Sequence, residues 1–128
     1  GNNIFPTPFM PPEFIPAPGQ GALGIEAREQ NKGIRSIVSR INHRPTHICV
    51  REEREFLTTL GGGCRFPVGA LARIKGNKIR MEGFIASPDA QKVIYVVGGT
   101  SLKKVAGIGR TLAEEALTKG AQRILREV

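Results

Sequence analysis

Six of the chain's nine prolines fall within its first 18 residues. Proline fixes φ and carries no N–H, so Phe5-Pro6-Thr7-Pro8, Met10-Pro11-Pro12 and Pro16-Ala17-Pro18 predict an extended segment that is neither helical nor central in a sheet. The segment lacks the polar bias of a disordered tail, because Ile4, Phe5, Phe9, Phe14 and Ile15 all need apolar cover. It suits a stretch that crosses the surface of another domain, one expected to lie outside these 128 residues.

Beyond residue 18 the chain has ordinary periodicities. Gly19 to Arg28 begins with glycines and then alternates at Leu23, Ile25 and Ala27, which predicts a loop feeding a short strand. Ile34, Ile37, Val38 and Ile41 have the i, i+3, i+4, i+7 spacing of one helix face. Asn42-His43-Arg44-Pro45 breaks that pattern and marks a boundary, after which Thr46 is expected to cap a helix reaching Leu60. The apolar side of that helix is Cys49, Phe56, Leu57 and Leu60, with Gly61 as its left-handed stop. Runs at 68–74, 78–87 and 92–97 read as strands, the first two joined by a Gly76-Asn77 hairpin and the last two by Ser87-Pro88-Asp89. Val105, Ile108, Leu112 and Ala116 form a helical stripe over about 103–119, Gly120 interrupts it, and Ala121, Ile124, Leu125 and Val128 resume it. The expected fold class is therefore α+β: a three-stranded antiparallel sheet with helices on one face, spanning 44–128. Residues 1–43 precede it as an extended segment with a short strand and a short helix.

Nineteen Lys and Arg against eleven Asp and Glu give a net charge of +8. Residues 31–128 hold eighteen of those cations and eight of the acids, so the excess belongs to the body after the proline-rich segment. Such a surplus is either a solvated basic surface or a surface for an anionic partner. No apolar run approaches the roughly 20 residues of a membrane span, and no secretory leader is evident, so a cytoplasmic location without membrane contact is expected.

Two cysteines at positions 49 and 64 make no disulfide framework and no zinc motif. Cys49 lies on an apolar helix face and reads as core. Cys64 follows three glycines at a helix end, beside Arg65 and ten residues after Arg54. That setting gives the thiol room and a cationic neighbour favouring thiolate, although lone loop cysteines are more often inert. His43 and His47 are four apart, but they lack a third ligand and have a proline between them, so no metal site is expected.

Three blocks in order resemble the hydroxymethylbilane synthase (porphobilinogen deaminase) family: Pro16-Ala17-Pro18-Gly19-Gln20-Gly21-Ala22-Leu23-Gly24-Ile25-Glu26, the helix Arg51-Glu52-Glu53-Arg54-Glu55-Phe56-Leu57, and Gly62-Gly63-Cys64-Arg65-Phe66-Pro67-Val68-Gly69. Gly61 stands where that family often has Glu. The resemblance implies a transferase that joins four porphobilinogen molecules, with loss of ammonia, into hydroxymethylbilane for haem biosynthesis. It implies a covalent dipyrromethane cofactor held by a thioether to Cys64, with Gln20, Gly21, Arg28 and Arg54 at the cofactor and its carboxylates. It also implies that residues 1–43 are the terminal segment of separate N-terminal α/β domains, that residues 44–128 are the cofactor-attachment domain, and that the catalytic aspartate lies in those N-terminal domains, absent from this chain, which is then inactive alone. The expected partners are porphobilinogen, oligopyrrole intermediates and those domains, in a monomeric full-length enzyme. The alternative is a basic α+β nucleic-acid-binding or interaction domain, for which the strands offer the aromatic residues Phe84 and Tyr95 and no tryptophan.

Overall fold

The computed structural model describes residues 6–61 and 66–126. Two helices come first, α1 (Lys32–Arg40) and α2 (Arg44–Thr59). Three strands come next, β1 (Val68–Lys75), β2 (Lys78–Ala86) and β3 (Val93–Ser101). A 3-10 turn at Leu102–Lys104 leads to α3 (Ile108–Ala116), and α4 (Gln122–Arg126) closes the described chain.

The strands form one antiparallel sheet in the order β1-β2-β3. Its register sets which residues share a face. Ala70 opposes Gly83, which opposes Val96, and Ala72 opposes Met81, which opposes Gly98. With Ile79 and Ile85 these make the apolar inner face, against which α2 and α3 pack. Phe56 of α2 is fully buried there, its ring seated over Gly83, where a Cβ would come within 2.7 Å of it. The α2–α3 crossing is equally close. A side chain on Gly109 would strike the α2 backbone at Glu52, so the two helices approach to glycine distance. Leu112, Ala113, Ala116, Ala121 and Ile124 complete the core.

The α+β architecture expected from the sequence is present, with several local differences. His43, not Thr46, caps α2: its Nδ1 accepts from the Thr46 N–H at 3.4 Å and lies 2.7 Å from the Thr46 hydroxyl. Pro45 belongs inside the first turn, where its missing N–H costs nothing, so the apparent breaker is a helix start. β3 runs on through Gly98-Gly99 to Ser101, because pairing with β2 carries the strand past its glycines. Helix α3 begins at Ile108 rather than near Lys103, since Gly107 adopts φ 88° immediately before it. Gly120, at φ 112°, divides the final helical stretch as its sequence suggests.

Residues 6–31 form neither helix nor strand. The short strand expected at Leu23–Ala27 is absent, because among the described residues no strand lies alongside to pair with it. Leu23 is 97% exposed and Ile25 56%. The α1 stripe is bare as well: Ile34, Ile37 and Ile41 are all exposed. Of the apolar residues in the proline-rich segment, Ile15 is buried, whereas Phe9 and Phe14 stack on one another near the surface. Ile4 and Phe5 lie outside the described residues.

Candidate functional site

The proline-rich segment is held to the sheet edge by the Ala70 N–H, which donates to the Pro16 carbonyl at 2.9 Å. Three residues later the chain makes two successive turns. The Gln20 N–H donates to the Ala17 carbonyl at 3.1 Å and the Ala22 N–H to the Gly19 carbonyl at 3.2 Å. Gly19 (φ 74°) and Gly21 (φ 80°) both occupy the left-handed region, which selects glycine on either side of Gln20.

Glu53 fixes this turn to the domain. One carboxylate oxygen accepts the Gly19 N–H at 2.7 Å and the other the Ala72 N–H at 2.8 Å. The side chain thus joins the Gly19-Gln20-Gly21 turn, helix α2 and strand β1. It is buried, and desolvation pushes its pKa above the usual carboxylate value, although the Ala72 and Gly19 N–H groups oppose that shift. Its neighbour Glu52 is buried as well and faces α3 instead. It accepts the N–H groups of Gly107 and Gly109, each at 3.2 Å, at the start of α3, and pairs with Arg51 at 2.9 Å.

Neither glutamate stood out in the sequence as a site residue. The signal was present: Glu53 falls four residues after Cys49, three before Phe56 and seven before Leu60, which places a carboxylate on the apolar stripe. Cys49 packs beside that stripe against the core. Burial, and then the charge of Glu53, raise its thiol pKa, as suits a structural cysteine.

The residues expected at the site divide into two groups. Gln20 and Gly21 are exposed at the tip of the clamped turn. Arg54 projects to solvent from α2 and makes no ion pair among the described residues. The intrahelical pairs open to it are not formed, because Glu53 is taken by backbone N–H groups and Glu55 by Arg110 at 2.7 Å. Arg28 is exposed, with its side chain likewise unengaged among the described residues. Cys64 lies outside the described residues. The chain enters its loop from Gly61 (φ 108°), directly after α2, and leaves it at Phe66, two residues before β1. The described residues on either side of Cys64 therefore adjoin the two elements that Glu53 ties to the glycine turn.

The two histidines are accounted for locally. His43 caps α2, and His47 is exposed one turn further along the helix.

Residues 47–118 match the model of the porphobilinogen deaminase C-terminal domain. The chain belongs to the porphobilinogen deaminase family. The matched stretch contains most of α2, the whole sheet and α3. The porphobilinogen deaminase of Carboxydothermus hydrogenoformans is 41% identical over 114 residues, covering 89% of this chain and 37% of the relative. That of Moorella thermoacetica is 39% identical over 114 residues, covering 89% and 36%. That of Thiobacillus denitrificans is 38% identical over 113 residues, covering 88% and 37%. The chain thus spans little more than a third of the length of the porphobilinogen deaminases it matches.

Proposed function

We propose that this chain is the cofactor-bearing part of a porphobilinogen deaminase, with Cys64 as the thioether anchor of dipyrromethane and residues 44–128 as its attachment domain. The reaction of the whole protein joins four porphobilinogen molecules head to tail and releases ammonia at each addition; one water then cleaves the four-unit chain from the cofactor as hydroxymethylbilane for tetrapyrrole synthesis. The observation that carries this reading is the Glu53 clamp. It sets the Gly19-Gln20-Gly21 turn against the same helix and strand from which the Cys64 loop departs.

The donors present suit a carboxylate-rich ligand. Gln20, Arg28 and Arg54 are exposed polar side chains without partners among the described residues, and the arginine fork matches a carboxylate in bidentate fashion. When bound, dipyrromethane supplies the pyrrole end on which the product chain is extended. This chain's own contribution is anchoring and orientation. Gly62 and Gly63 give the Cys64 sulfur steric freedom, and Arg65 favours the thiolate that forms the thioether. The Gln20 amide and the Gly21 backbone line the approach to the cofactor, and Arg28 and Arg54 neutralise acetate and propionate groups. Glu53 holds the turn that presents them.

Proton transfer to the departing ammonia is assigned to an aspartate on the N-terminal domains of the enzyme. The same reading makes the exposed strip Leu23–Ile25 and the bare Ile34, Ile37 and Ile41 face the surfaces that meet those domains. It carries a cytoplasmic location and a monomeric whole enzyme with it. No helix among the described residues is long and apolar enough to cross a membrane.

Assembly with the N-terminal remainder of the Carboxydothermus relative tests the proposal. The assembly should consume porphobilinogen and give the red Ehrlich colour of a bound dipyrromethane, and Cys64→Ser should abolish both. Equal activity of Cys64→Ser and the parent would refute it.

A further inference from the structure

The outer face of the sheet carries a charge arrangement that neither the core nor the cofactor site uses. Arg73 stands directly opposite Arg80, and Lys75 directly opposite Lys78, in consecutive same-face positions of the β1–β2 pair. Like charges facing each other across a strand pair are destabilising, and here two such pairs adjoin. Among the described residues, their single anionic partner is Glu82. One of its oxygens takes Arg80 at 2.9 Å and Arg73 at 3.3 Å, while Lys75 and Lys78 are exposed and form no ion pair among the described residues. These four cations, with Thr100 and Ser101, line an open groove of about 500 Å³. The Leu102 N–H donates to the Asn77 carbonyl at 2.8 Å, tying the lysine-bearing 102–104 turn to the same hairpin end.

We propose that this groove binds a compact polyphosphate anion, two or three linked phosphates, at a site separate from the Cys64 loop. β1 begins at Val68, four residues after Cys64 in the sequence, and reaches the groove at Arg73 to Lys75, so the groove lies at the far end of a strand roughly 23 Å long. A polyphosphate supplies in a small volume the several negative charges that Glu82 alone does not, with two guanidinium forks and two ammonium groups to receive them. Single-stranded nucleic acid fits less well, because it needs aromatic platforms among the cations. No aromatic side chain among the described residues lines the groove. Phe84 and Tyr95 lie further along the sheet, in a second depression shared with Phe14 and Ile15.

The test is titration of the chain with inorganic tripolyphosphate, followed by calorimetry and by backbone amide shifts. Saturable binding is expected, with the largest shifts at 73–80 and 99–101, and with affinity that falls as salt rises. Lys75→Gln/Lys78→Gln should weaken it about tenfold or more, while Lys32→Gln/Arg40→Gln on α1 should not. Amide shifts of the unmodified chain decide the location even if the double variant folds poorly. Absence of saturable binding, equal weakening by both double variants, shifts scattered over the surface, or tighter binding of a single-stranded RNA than of tripolyphosphate would each overturn the proposal.

Discussion

Glu53 and Glu82 are both buried carboxylates in environments of opposite sign. Glu53 is desolvated and held by two backbone N–H groups, and its pKa is raised from about 4.5. A raised value contributes stability that is complete below pH 4.5 and is lost as pH climbs through the folded pKa. Desolvation also pushes Glu82 upward, but the hydrogen bond from Arg80 and the charges of Arg80 and Arg73 outweigh it and hold the group below 4.5. Its contribution is therefore complete above 4.5 and lost as pH falls through the lower folded value. Urea unfolding at about pH 3.5 and about pH 7 should show the two signs. The deficit of Glu53→Gln relative to the parent should be larger in acid, and that of Glu82→Gln larger at neutrality. Apart from this pH dependence, Glu53→Gln leaves one acceptor oxygen for two buried N–H groups and should cost about 1–3 kcal/mol. The same variant should free the Gly19-Gln20-Gly21 turn, seen as faster hydrogen exchange at the Gly19 amide. The candidate residues could be named from the sequence because glycines, a glutamine and a cysteine stand in a recognisable order. The clamp was not, because its geometry joins residues 34 and 19 positions apart.

At the scale of elements, the helices and strands arise from periodicity, whereas their ends depend on particular contacts. α2 starts at Arg44 because His43 supplies the cap and Pro45 tolerates the first turn. His43→Ala should destabilise the domain by about 0.5–1 kcal/mol, measurable as a lowered urea midpoint with unchanged slope. The α2–α3 crossing is stricter. Gly109→Ala places a methyl group against the Glu52 backbone and disturbs the N–H bond to the Glu52 carboxylate, so a loss of about 1–3 kcal/mol is expected in thermal unfolding. A full helical pattern over 103–119 hid this, because periodicity does not register the left-handed Gly107 that delays the start. The alternation at Leu23, Ile25 and Ala27 misled in the opposite direction: a strand is a property of two segments, and the sequence showed one.

For the molecule as a whole, the α+β body was legible because its apolar positions repeat with periods of two and of about 3.6 residues. Residues 6–41 were less so, since their apolar side chains are largely exposed within this chain and find their cover elsewhere under the proposed reading. Under the two proposals, two surfaces of the molecule have distinct roles: the end with the glycine turn meets an acidic oligopyrrole, and the hairpin end offers the positive charge of Lys75 and Lys78 to a polyphosphate. Peptide mass spectrometry of the protein assembled with its N-terminal domains and active on porphobilinogen tests the central assignment most directly. The Cys64 peptide should carry the mass of a dipyrromethane, with the Cys49 peptide unmodified; an active enzyme whose Cys64 is bare, or whose adduct sits on Cys49, would contradict it.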